Sequence, residues 1–180
     1  MRLVAAVAAV GLALVAAAAA AHAAEAVPTR DCGTRTEPTR GHLRFASPGD
    51  VVIGPVAFSG LAAASAPASI GGRRPDGTML RKSAVKLLWG PPVTVRVVDD
   101  RGGAVALEYA LAGGWQQTTV VRFVGCPPGT RMWNGLRYRR VTGFNGGFAV
   151  ARRGCYTLEV KAEGRRAYRR TVSLGGGPCE

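Results

Sequence analysis

Cys and Arg are the two residue types in this 180-residue chain whose number and spacing invite chemistry. The cysteines are Cys32, Cys126, Cys155 and Cys179, and no two of them form a C-x-x-C pair. Thiolate metal sites are usually built on such close pairs, so an even, dispersed set reads as two disulfides, with no metal and no cofactor. Four Cys allow three connectivities. If a strand leaving Cys155 is answered by a returning strand that ends at Leu174, Cys179 is carried back to Cys155. That favours Cys155 with Cys179, and Cys32 with Cys126. The rival set, Cys126 with Cys155 and Cys32 with Cys179, would clip the loop after Cys126 and the two chain ends. Either set stabilises the fold by about 2 to 4 kcal/mol per bridge.

Charge is the feature that rises above scaffold. Lys and Arg number 24 against 11 Asp and Glu, a net charge of +13. From Cys126 onward eleven cations stand against three Glu. Arg152 and Arg153 precede a predicted hairpin, and Arg165, Arg166, Arg169 and Arg170 lie at or near its far end. Arg137, Arg139 and Arg140 stand with Arg131, Trp133 and Tyr138 in an irregular stretch. Gathered on one surface, these arginines would bind anionic polymers such as teichoic acid, anionic lipid, acidic polysaccharide or DNA. Trp133 and Tyr138 would then stack on sugars or bases. The competing reading is compositional. Three of the 24 cations are Lys, and Arg rises with Ala, Gly, Pro and Val in GC-rich coding sequence, which would make the same residues a solvated face. Trp133, Tyr138 and Phe144 would then be loop anchors in the core.

A catalytic constellation is missing from the sequence. His22 falls in the leader, so a Ser-His-Asp or Cys-His mechanism would have to run through His42, in a polar arm where a solvated or structural role is commoner. Asp99 and Asp100, in DDRGG, are turn formers before they are a carboxylate dyad. Glu108 and Glu159 are expected on the outer faces of strands, which disfavours a two-carboxylate glycosidase. The Gly-Gly pairs at positions 71, 102, 113 and 146 fit no phosphate-cradling motif. The expectation is a non-enzymatic binding or structural module, its partner an anionic envelope polymer or another extracellular protein. An unrecognised hydrolase is the least favoured reading.

The elements that must position these residues follow from composition. Residues 1–24 read as a secretory signal peptide: Arg2, an Ala, Val and Leu run, then Ala21, His22 and Ala23 in an A-x-A arrangement. The protein is therefore expected to be secreted, extracellular or associated with the cell wall, with no membrane span after cleavage. Residues 25–44 read as a polar N-terminal arm and 45–180 as one domain. Period-2 alternation predicts strands over 51–58, with Pro55 making it an edge or bulged strand, over 80–89, and from Val93 to Val97. DDRGG should turn the last of these into a hairpin with Val105 to Leu111. Further strands are expected over 118–124 and across the hairpin from Tyr156 to Leu174. Residues 61–76 read as a loop with a single helical turn. Seven or eight short strands between Gly and Pro turns fit an all-β fold, an antiparallel β-sandwich of the immunoglobulin-like kind, with a small β-barrel as runner-up.

The C-terminal pattern is a strand ending at Cys126-Pro127, then Gly146-Gly147-Phe148, Arg153-Gly154-Cys155 with an alternating strand, Leu174-Gly175 and Cys179. It resembles uncharacterised small secreted proteins of high-GC Gram-positive bacteria. The resemblance covers the C-terminal third, and it implies export and a Cys-stapled β fold without bringing an activity, a ligand or a catalytic residue.

Overall fold

The computed structural model describes residues 26–36, 43–66, 70–111 and 114–179; the predicted leader and His42 lie outside them. Apart from 3-10 turns at Cys32–Thr34 and Leu61–Ser65, every regular element among these residues is a strand. Numbered in chain order, the strands fall into three sheets. The first runs β1 (Thr29–Arg30), β9 (Val120–Phe123), β6 (Val93–Val97), β12 (Gly154–Ala162) and β13 (Ala167–Leu174). The second runs β10 (Val141–Phe144), β5 (Val85–Leu88), β3 (Val56–Phe58) and β2 (Val51–Ile53). The third runs β4 (Met79–Lys82), β11 (Gly146–Val150), β7 (Val105–Leu111) and β8 (Gly114–Thr118). All pairings are antiparallel except β1 with β9, which is parallel.

Alternation turns one face of each sheet to a shared core. Val95, Phe123, Tyr156 and Leu158 of the first sheet join Phe58, Val85 and Leu87 of the second and Leu107, Tyr109 and Phe148 of the third in one buried cluster. Full burial of a Val, Leu or Phe side chain stabilises by about 1.5 to 3 kcal/mol, which makes this cluster the main source of stability. Tyr109 meets Phe123 edge-on at 5.2 Å. Its hydroxyl donates to the Ser83 carbonyl at 3.2 Å, and burial pushes its pKa far up.

Three expectations are corrected. Residues 51–58 are not one strand but the hairpin of β2 and β3, with Gly54 and Pro55 as its turn. Gly54 has φ of 55°, and Pro55 has no amide hydrogen to donate, so both suit a turn better than a ladder. Residues 80–89 divide into β4 and β5, which lie in different sheets. At the bend the Ser83 amide donates to the Gly146 carbonyl and the Ser59 amide to the Ala84 carbonyl, each at 2.9 Å. Period-2 alternation passes through such a bend unchanged, which is why the pattern conceals it. Finally, β6 and β7 are not a hairpin. β6 pairs with β9 and β12, β7 with β8 and β11. Both turn apolar faces to the same core, so the DDRGG turn, with Arg101 at φ of 50°, carries the chain from one sheet to another. Nor is a barrel formed, since each sheet ends in edge strands.

The terminal hairpin is regular over eight residue pairs, from Gly154 opposite Leu174 to Lys161 opposite Ala167. Disulfides join Cys155 to Cys179, which fastens the open end of that hairpin, and Cys32 to Cys126, which ties the turn after β1 to the chain leaving β9. Around the second bridge Cys126, Met132 and Tyr138 form a small buried cluster of their own.

Candidate functional site

β4, β11, β7 and β8 lie side by side, so the residues they turn away from the core share one outer face. Lys82, Gly147, Glu108 and Gln117 stand in register across it. Gly147 keeps the middle of that row low. A Cβ there would lie 2.1 Å from the Arg81 carbonyl oxygen, and one on Gly146 would lie 2.0 Å from the Tyr109 ring. Beside the bend at Ser83 and Ala84 opens a pocket of about 590 Å³. Trp115 on edge strand β8 walls it on one side; Leu80 and Lys82 of β4, Asn145 between β10 and β11, and Ser59 complete the rim. Pockets of this size hold small organic ligands.

Glu108 closes one end of the pocket. It is 5% exposed, accepts two parallel hydrogen bonds from Arg74 at 2.7 and 3.0 Å, and accepts a third from Gln117 at 3.3 Å. The hydrogen bonds to Glu108 raise the pKa of the Arg74 guanidinium further. Gln117 also donates to Asp76 at 3.1 Å, so residues 73–78 reach from the β4 edge over β11 to β7 and β8. Hydrogen bonds from the Thr78 amide and then its hydroxyl hold the Asp76 carboxyl below its usual range. What the arrangement offers is a flat indole, an apolar wall and a rim of amide, hydroxyl and ammonium groups around a pinned carboxylate.

The nine arginines singled out in the sequence form separate groups. Arg152 and Arg153 precede β12 and, with Arg73, line a second cleft; Arg152 donates to the Arg101 carbonyl at 2.9 Å. Arg165 and Arg166 follow the other end of β12. Nine strand residues at about 3.3 Å each hold the two groups roughly 30 Å apart. Within β13 alternation divides the next pair. Arg169 lies on the outer face, 2.7 Å from Glu159, whereas Arg170 lies opposite Leu158 and reaches the Val52 carbonyl at 3.4 Å. Arg137, Arg139 and Arg140 belong to the loop before β10, where the Arg140 carbonyl accepts from the Trp89 amide at 2.7 Å. This loop shares an end of the molecule with Arg165 and Arg166, because the Glu163 amide donates to the Pro92 carbonyl just beyond Trp89. Of the three aromatics, Tyr138 in the loop and Phe144 in β10 are buried, and Trp133 in the loop is 71% exposed.

Sequence reasoning missed Arg74 as the partner of Glu108, and Trp115, Lys82 and Asn145 as residues that line the pocket with it. Alternation places Lys82 and Glu108 on outer faces, but only the β4-β11-β7 register shows that they share one. Two disulfides fit an oxidising environment. No helix among the described residues is long and apolar enough to cross a membrane. No family model, no curated protein and no solved structure matches the chain.

Proposed function

We propose that this chain is a secreted, non-enzymatic binding module, an immunoglobulin-like sandwich, that holds a saccharide unit of the cell envelope or its surroundings beside Trp115. One observation carries the reading: a 61% exposed indole walls a pocket whose rim is an amide, a hydroxyl and an ammonium group. An indole face accepts the C–H side of a pyranose, while Asn145, Ser59 and Lys82 meet its hydroxyls. Three of the roughly four lone-pair sites of Glu108 are occupied, which supports recognition over acid–base work. Export is supported by the leader pattern together with the disulfides. The sandwich is supported by β4 running on into β5, β8 into β9 and β10 into β11, each pair passing from one sheet to another around one core.

The test is an NMR titration of the oxidised protein with cell-wall glycan fragments. The Trp115 indole N–H, assigned by its loss in Trp115→Phe, should shift, and Trp115→Ala should weaken binding about tenfold or more. An unmoved indole at saturating glycan would remove the pocket reading, and glycan cleavage in the sample would remove the non-enzymatic one. A second reading, binding of anionic polymers, is favoured by residues 125–141, which hold four Arg and no acidic residue.

A further inference from the structure

Among the described residues, exposed apolar side chains and cations without a carboxylate partner gather at one end of the molecule. Among the described residues nine large hydrophobic side chains are exposed, and six of them, Val52, Leu88, Trp89, Trp133, Leu136 and Tyr168, stand at this end. The contacts that join them are short. The Leu88 amide donates to the Pro55 carbonyl at 3.2 Å, Trp89 is bonded to Arg140, and Tyr168 packs on Gly54, where a Cβ would meet its ring at 2.7 Å. Among the cations of the same end, Arg131, Arg137, Arg139, Arg140, Arg165 and Arg166 have no carboxylate partner among the described residues. Among the described residues, two nearby acidic groups are engaged: Glu163 pairs with Arg122 at 3.3 Å, and Asp31 caps the Cys32 turn.

Trp133, the most exposed of these side chains, lies in the turn of residues 131–137. Arg131 and Arg137 bridge its base, the Met132 amide donates to the Leu136 carbonyl at 2.7 Å, and Gly135 at φ of 81° closes the turn. Met132 and Tyr138 anchor it in the small cluster on the Cys32–Cys126 disulfide, so Trp133 and Leu136 are presented on a rigid base. Rigid presentation lowers the ordering cost of docking.

We propose that this end docks on an anionic lipid bilayer, with Trp133 and Trp89 at the level of the headgroups and the arginines against lipid phosphates. The proposal deepens the polymer-binding reading, on which it rests, by naming the partner. A soluble polyanion uses the cations and stacks on an indole, but it gives the aliphatic Val52, Leu88 and Leu136 no apolar phase to enter. A bilayer surface uses both, since Trp favours the membrane–water interface and guanidinium groups pair with phosphate in forked geometry.

Sedimentation of the oxidised protein with vesicles tests it, using phosphatidylcholine alone or mixed equally with phosphatidylglycerol and carrying brominated acyl chains. The expected result is binding to the mixed vesicles only, with Trp89 and Trp133 fluorescence quenched in a Trp115→Phe background. Trp133→Ala, and separately Arg139→Gln with Arg140→Gln, should each weaken binding about tenfold. All three are surface changes, so an unchanged melting temperature shows that folding is intact. Binding to soluble teichoic acid or DNA without capture by vesicles would overturn the lipid partner and leave the polymer reading standing. Absence of binding to vesicles and polymers alike would overturn both.

Discussion

Arg30, which the sequence places in a polar arm, lies 2% exposed with its guanidinium 5.4 Å from the centre of the Phe144 ring. It donates to the Thr34 hydroxyl and carbonyl and, at 3.2 Å, to the Asn145 carbonyl, while burial lowers its pKa. Arg30→Ala should cost about 2 to 4 kcal/mol by emptying a buried site and removing its hydrogen bonds to Thr34 and Asn145, and Arg30→Lys should recover only part because Lys lacks the fork; urea midpoints would measure both. Asp50 is a second such residue. Burial pushes its pKa up, but hydrogen bonds from Lys86 at 2.5 Å and from the Gly60 and Ser47 amides outweigh that and leave it below the ordinary 3.8. A depressed folded-state pKa gives stability that is fully present above 3.8 and is lost as pH falls through the lower folded value. Melting temperatures should therefore drop in acid below about pH 4, and Asp50→Asn should flatten that drop while lowering stability near neutrality.

Among the elements, β11 is the least tolerant. Gly147→Ala would drive a Cβ into the Arg81 backbone, and the expected cost is about 1 to 3 kcal/mol with faster amide exchange across β4. Hydrogen-exchange mass spectrometry over residues 79–82 would register it. Such constraints set what could be read in advance. β12 and β13 were legible because Tyr156, Leu158 and Val160 alternate over an unbroken run with Gly164 at the turn. The division of β4 from β5 was not, since Val85 and Leu87 continue the same period past the bend. The arch between β6 and β7 was hidden for a related reason: alternation tells which face is apolar but not which strand lies alongside. The pocket was the least legible part, because Arg74, Lys82, Glu108, Trp115 and Asn145 come from distant segments and meet only through register.

Across the whole molecule, the two disulfides close loops of very different length. The sequence separation is 24 for Cys155 to Cys179 and 94 for Cys32 to Cys126. Closing the longer loop costs more chain entropy, so oxidative refolding should trap the Cys155–Cys179 species first, and acid-quenched intermediates mapped by mass spectrometry would reveal the order. Removing the longer bridge by Cys32→Ala with Cys126→Ala should cost about 3 to 5 kcal/mol and loosen the loop that carries Trp133. The parallel seat of β1 against β9 extends this to biogenesis. Thr29 and Arg30 rest on Arg122 and Phe123, partners synthesised long after them. A chain emerging N-terminus first must leave β1 waiting until β9 has been made, exposed to proteases and holdases in the interval, whereas the β12–β13 hairpin can close as soon as it emerges.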